Sequence, residues 1–263
     1  MEFTLGLAQT CHPEDGDVVA LVDRMAAQAA ARGVDLLVFP ESLMTSYELP
    51  VEEFLASAQP VDGPFVQAVC QVAARHGLWL VFTLNEQAED GGKPFNTAVV
   101  ASADGCVAGT YRKAHLFEAG PYSESSKMQA GSGLFEPIQT PFCTLGLGIC
   151  YDLRFPEVAR WAAVRGAELM VYPAAWVAGE MKAHQWKTLL AARAIENEFF
   201  VAGLSRADAP RYIGQSCVFG PLGECLASSG PYQDLLVCRV DTSRIAAARE
   251  NMPILDHLRP ELY

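Results

Sequence analysis

The sequence contains no apolar run approaching the ~18 residues that a membrane-spanning helix requires, so no such helix is expected. Its eight cysteines include no Cys-x-x-Cys pair and no even framework of short spacings, which argues against a zinc site and a disulfide scaffold. Free thiols in that number predict a reducing compartment, the cytoplasm. The five histidines lack ligand spacing, so a metal site is not expected. Basic residues are scarce as well. Lys and Arg number 19 against 31 Asp and Glu, a net charge of −12 that disfavours nucleic acid and anionic membranes as partners. The acidic residues are scattered and form no tail. Met1-Glu2-Phe3-Thr4 lacks a basic stretch, so no secretory leader is expected.

What remains is a 263-residue chain, half of it hydrophobic, long enough to bury a sizeable core. Phe3 to Gln9 alternates as a strand, and Asp17 caps a helix that Gly33 ends. Val34 to Phe39 is a short run, apolar but for Asp35, the pattern of a strand buried on both faces. It stops at Pro40 and delivers Glu41. A helix over Phe65 to His76 and a buried strand over Leu78 to Leu84 follow. Thr97 to Ala101 and Cys106 to Tyr111 then form a hairpin across Asp104-Gly105 and deliver Lys113. Ala114 to Gly133 has no periodicity and reads as a surface loop placed to cover a site.

The segment Arg32-Gly-Val-Asp-Leu-Leu-Val-Phe-Pro40 recurs as Arg165-Gly-Ala-Glu-Leu-Met-Val-Tyr-Pro173. Upstream of each copy lies a helix, and before it a similar strand, Leu5-Gly-Leu-Ala-Gln9 or Leu145-Gly-Leu-Gly-Ile149. The chain therefore reads as two related βαβ halves, which predicts two sheets packed face to face with helices outside. Residues 1–240 form one domain on this reading, and the polar stretch 241–263 is a tail packing on the domain or on a partner subunit.

Leu145 to Ile149 ends at Cys150, and Pro156 to Arg165 has helical spacing with Pro at its first position. A strand turning tightly into a helix holds Cys150 at the carboxyl end of a sheet, with its thiol near the helix's positive end. That placement predicts a lowered thiol pKa. The other seven cysteines read as buried structural thiols. Glu41, Lys113 and Cys150 all fall just past the carboxyl end of a predicted strand, the edge where open α/β sheets bind ligands. A carboxylate beside a thiol can act as its base, and a lysine beside both can hold an oxyanion.

These residues lie in three stretches, Leu36-Leu-Val-Phe-Pro-Glu41, Tyr111-Arg-Lys113-Ala-His-Leu-Phe117 and Gly148-Ile-Cys150-Tyr-Asp-Leu-Arg-Phe-Pro-Glu157. Together with Ala192-Arg-Ala-Ile-Glu-Asn197 and the closing His257-Leu-Arg-Pro-Glu-Leu-Tyr263, they resemble the nitrilase, or carbon–nitrogen hydrolase, superfamily. The resemblance spans Leu5 to Tyr263 and implies an α/β fold, a four-layer αββα sandwich of two packed mixed sheets. It also implies a Glu-Lys-Cys triad that hydrolyses a non-peptide amide through a cysteine thioester, without metal or organic cofactor. Glu41 would be the base, Cys150 the nucleophile, and Lys113 with the Tyr151 N–H the oxyanion donors. A second glutamate after the lysine, Glu124 or Glu118, would position the amide and Lys113.

For the substrate, Arg154 would grip a carboxylate or form a salt bridge with Glu157. Tyr47 and Trp176 would line the pocket or simply pack. The omega-amidase and deaminated-glutathione-amidase branch is the nearest in look, so the terminal carboxamide of a small acid is the expected substrate. An N-carbamoyl amino acid or an aliphatic amide is the alternative, and a non-catalytic binding module is the alternative from another class. A Cys-His-Glu glutaminase arrangement would need a glycine where Asp152 stands and would draw on His257. The resemblance also implies a homodimer, or a multiple of one, formed through the helix Lys182 to Asn197 and the tail.

Overall fold

The structure, a computed structural model, describes residues 1–262; Tyr263, the last residue of the closing motif, lies outside them. The chain opens with β1 (Glu2–Gln9), α1 (Val18–Ala30) and β2 (Leu36–Val38). The Asp17 side chain accepts from the Ala20 N–H, satisfying one of the free donors at the start of α1. α2 (Val51–Ala56), α3 (Pro64–His76), β3 (Trp79–Glu86), β4 (Phe95–Ala101) and β5 (Val107–Arg112) complete the first half. The segment read as a surface loop contains a small hairpin, β6 (Glu118–Ala119) with β7 (Tyr122–Ser123), and a 3-10 turn over Glu124–Ser126.

The second half runs β8 (Ile138–Gln139), β9 (Thr144–Leu147), α4 (Pro156–Ala163), β10 (Leu169–Ala174), α5 (Lys182–Asn197) and β11 (Phe200–Ser205). It closes with β12 (Cys217–Phe219), β13 (Cys225–Ser228), β14 (Asp234–Asp241) and α6 (Ser243–Asn251).

Two six-stranded sheets result, in the orders β14-β1-β2-β3-β4-β5 and β13-β12-β11-β10-β9-β8. The internal repeat runs further than the sequence indicated. β1-β2-β3 and β9-β10-β11 are both parallel, and each set continues into two antiparallel strands. Even the register repeats. Leu5, Gly6 and Leu7 face Leu36, Leu37 and Val38, while Leu145, Gly146 and Leu147 face Leu169, Met170 and Val171. A Cβ on Gly146 would stand 2.8 Å from the Met170 sulfur, and one on Gly148 would stand 2.7 Å from the Tyr172 ring, so these two glycines let β9 lie against its neighbours.

The period of two along each strand sorts side chains between two cores. In β2, Leu36 and Val38 join the core between the sheets, whereas Leu37, and Phe39 just past the strand, pack outward against α1 and α3. Each fully buried Leu or Val contributes roughly 1.5–3 kcal/mol. α4 and α5 cover the other sheet through Val158, Ala159, Trp186 and Leu190. The architecture is thus the αββα sandwich. No helix among the described residues is long and apolar enough to cross a membrane. In the tail, α6 buries Ile245 and Ala248, and the Ile254 N–H donates to Glu198 at 3.2 Å.

Candidate active site

Glu41, Lys113 and Cys150 meet at one end of the sandwich, each carried there by the end of a strand. β2 stops two residues before Pro40, which has no N–H to continue the ladder. Glu41 follows and is 2% exposed. Ser42 then adopts a left-handed backbone, φ 60°, and its carbonyl is held by His12 Nε2 at 3.0 Å and Arg206 Nη1 at 2.8 Å. Arg206 Nε in turn pairs with Asp208 at 2.8 Å. This brace behind the carboxylate has no signal in the local sequence.

Lys113 follows β5. The β4–β5 register sets Asn96 opposite it, and the Lys113 N–H donates to the Asn96 carbonyl at 2.8 Å. Cys150 also has a left-handed backbone, φ 46°, at the head of a 3-10 turn over Cys150–Arg154. Asp152 closes that turn by accepting the Ile149 N–H at 2.9 Å. Its two oxygens also take the Tyr111 hydroxyl at 2.8 Å and His115 Nδ1 at 2.8 Å, which fastens the turn to the segment after β5.

The expected lowering of the Cys150 pKa is not what this setting produces. α4 begins only at Pro156, so the cysteine heads a short 3-10 turn and not a helix. Burial and the neighbouring Glu41 carboxylate push the thiol well above its ordinary value, against the pull of Lys113. The resting group is a neutral thiol beside a base.

Around it the charges are closely matched. Lys113 Nζ donates to Glu41 Oε1 at 2.8 Å and to Glu124 Oε2 at 2.7 Å, all three side chains being buried. Burial alone would disfavour the ammonium. Glu124 and Glu41 outweigh it and hold the Lys113 pKa well above the usual lysine range. Asn96 Nδ2 donates to Glu41 Oε1 at 2.8 Å and lies 3.2 Å from Glu124 Oε1. The Tyr47 hydroxyl donates to Glu124 Oε1 at 2.9 Å, so Tyr47 borders the cavity and also braces a carboxylate. Glu124, and not Glu118, is the glutamate beside Lys113; Glu118 accepts the Ser125 N–H at 2.7 Å in the hairpin outside.

Glu41 Oε2 accepts only the Ala175 N–H, at 2.7 Å, whereas Oε1 is filled by Lys113 and Asn96. Oε2 is therefore the oxygen with room for a proton. The Tyr151 N–H, next to the thiol, donates to no other group among the described residues. A carboxylate with a free oxygen site, a neutral thiol, a fixed ammonium and an open N–H suit covalent acyl transfer.

These groups border a cavity of about 370 Å³ whose wall also includes Phe117, Tyr151, Arg154, Trp176, Lys182 and Arg211. Arg154 makes no ion pair with Glu157 or any other described acid. Its Nη2 donates to Gln185 at 2.9 Å, and its guanidinium lies 4.8 Å from the centre of the Trp176 ring. Trp176 is both buried and part of the wall, with its indole N–H on the Lys182 carbonyl at 3.1 Å. His257 lies exposed in a 3-10 turn of the tail and takes no part in the cavity.

Sequence reasoning missed Asn96, the Ala175 N–H, Lys127, Lys182 and Arg211 at this site. Only Asn96 had an available signal. Pairing Ala98 with Tyr111 in the predicted hairpin sets Asn96 opposite Lys113.

The carbon-nitrogen hydrolase family profile matches residues 4–250. The chain belongs to the carbon–nitrogen hydrolase family. Among relatives of this hydrolase, the deaminated glutathione amidase of Escherichia coli O157:H7 is 33% identical over 235 residues, covering 89% of this chain and 88% of that one. The omega-amidase of Homo sapiens is 34% identical over 245 residues, covering 90% and 87%. A solved amidase from Nesterenkonia sp. AN1, 28% identical, superposes with a TM-score of 0.79 over 100% of this chain and 95% of its own. That structure shows the acetamide moiety of fluoroacetamide added covalently at its active-site cysteine.

Proposed function

We propose that this hydrolase cleaves the terminal carboxamide of a small carboxylic acid and releases ammonia through a thioester on Cys150. The observation that carries the reading is the charge of the cavity wall. Five cationic side chains and two acidic ones border it, in a chain of net charge −12. Both acids are engaged by Lys113, so the space that remains is cationic and favours an anionic substrate.

In this mechanism Glu41 takes the thiol proton on Oε2 as sulfur attacks the amide carbon. Lys113 and the Tyr151 N–H hold the oxyanion, while Glu124 fixes Lys113 and orients the carboxamide. Protonated Glu41 gives its proton to the nitrogen, the C–N bond breaks, and ammonia leaves an acyl thioester. Water enters, Glu41 takes a proton from it, the C–S bond breaks, and the thiol is restored as the acid departs. The names of the two relatives, omega-amidase and deaminated glutathione amidase, support the same class.

An ammonia-release assay tests this. With 4-carbamoylbutanoate, pentanamide, an N-carbamoyl amino acid and a nitrile offered in parallel, the ω-amide acid should give the highest kcat/KM. A preference for the carbamoyl compound would make the enzyme a carbamoylase instead.

The same proposal includes a homodimer in a reducing cytoplasm. Ile195 on α5, Leu222 beside it and Met252 in the tail are 49%, 71% and 63% exposed, an apolar set suited to a partner subunit. All eight cysteines are free thiols, as a reducing compartment would keep them. Sedimentation of a fully active monomer at micromolar concentration would contradict the dimer.

A further inference from the structure

Four cations border the cavity besides Lys113, and their partners separate them. Lys127 Nζ donates to the Tyr47 and Leu49 carbonyls, each at 2.8 Å, and Arg211 is paired with Glu48. Both serve to close the wall. Arg154 and Lys182 differ from them. Arg154 donates only to Gln185, and Lys182 Nζ has no hydrogen-bond or ion-pair partner among the described residues. It stands 5.6 Å from the centre of the Phe117 ring, and the indole of Trp176, on which Arg154 stacks, holds the Lys182 carbonyl at 3.1 Å. The two cations thus share one aromatic frame of Phe117 and Trp176, with Tyr151 edge-on to Phe117 at 5.1 Å. Partial burial and Arg154 both press the Lys182 pKa down. Two like charges held together without an acid repel each other, and an anion between them removes that cost.

We infer that Lys182 is a specificity-determining residue that, with Arg154, forms a carboxylate subsite opposite the reacting amide. This rests on the amidase reading of the same cavity. Arg154 supplies the planar fork for a carboxylate, and Lys182 supplies a second point charge on the same anion. Cys150, Arg154 and Lys182 border the same cavity, so the subsite serves an acid whose amide and carboxylate lie at opposite ends.

Lys182→Met should raise the KM for 4-carbamoylbutanoate about 10- to 100-fold, the worth of one hydrogen bond to a charged group, with kcat little changed. Pentanamide kinetics should be unaffected, and Lys182→Arg should restore the KM to within about threefold. Equal effects on the acid and the neutral amide, or no effect on either, would overturn the assignment. Calorimetry of glutarate binding to Cys150→Ala separates this inference from the amidase reading, because it needs no turnover. Lys182→Met in that background should weaken glutarate by the same factor. If the wild type turned over no amide, the functional reading would fall and the glutarate comparison alone would decide the subsite. Undiminished glutarate binding, or tight phosphate binding with none of glutarate, would remove it.

Discussion

Glu41 Oε2 accepts the backbone N–H of Ala175 at 2.7 Å, and these two residues close the two copies of the internal repeat. Glu41 follows Pro40 at the end of the first copy, and Ala175 lies two residues past Pro173 at the end of the second. The face-to-face packing of the sheets therefore does more than bury a core. It brings the end of one half to the carboxylate of the other, on the oxygen that Lys113 and Asn96 leave open. That single donor fixes the proposed base without filling its second lone pair.

The raised Cys150 pKa makes the first prediction. Its causes are burial and Glu41, opposed by Lys113. Thiolate absorbance, taken as the difference from Cys150→Ser, should therefore titrate above the ordinary thiol value of 9.0 in the wild type. Glu41→Gln removes the negative neighbour and leaves Lys113, so the titration should move to lower pH while turnover is lost. A titration unmoved by this substitution would detach Glu41 from the thiol.

Lys113→Met should abolish most turnover, a loss of at least ~10²–10³ for a removed oxyanion donor. It should also destabilise the fold by about 3–5 kcal/mol, because it strands two buried carboxylates. The sign with pH follows from linkage. The penalty belongs to ionised carboxylates buried without a counter-charge, so it is largest where they are charged and fades on acidification. Urea denaturation at a series of pH values should show the deficit shrinking on acidification; a constant deficit would mean the loss is one of packing.

Asn96 has no reacting atom, yet its amide contacts Glu41, Tyr47 and Glu124. Asn96→Ala should lower kcat about 10- to 100-fold, the cost of leaving buried acceptors unsatisfied, with little change in KM. Steady-state kinetics of a folded variant with wild-type kcat would show that the network holds without it.

Much of the fold was legible because buried parallel strands announce themselves. Leu36 to Phe39 and its counterpart Leu169 to Tyr172 before Pro173 are continuous apolar runs with matching helix ends, and their register repeats in the structure. The hairpin that carries Lys113 was legible from Asp104-Gly105. Other features depend on tertiary partners. The Cys150 turn is closed by Asp152 with Tyr111 and His115, residues from another part of the chain, so local spacing suggested a helix end where a 3-10 turn stands. The direction of the thiol pKa went the other way for the same reason. A helix end can be read along the chain, whereas the burial that outweighs it cannot. Lys182 reads as an ordinary first residue of α5, and its place on the cavity wall against Phe117 is set by tertiary packing.

The central claim is that Cys150 carries the acyl group. Rapid acid quench of the enzyme with 4-carbamoylbutanoate, followed by intact and peptide mass spectrometry, tests it most directly. The expected result is an adduct equal to the substrate minus ammonia, confined to the peptide bearing Cys150. That peptide also carries Cys143, whose buried thiol is pushed up to about 12. Cys143→Ser should therefore keep both the adduct and turnover, and Cys150→Ser should lose both. An adduct that persists in Cys150→Ser and disappears in Cys143→Ser, or turnover in the Cys150→Ala enzyme, would contradict the account.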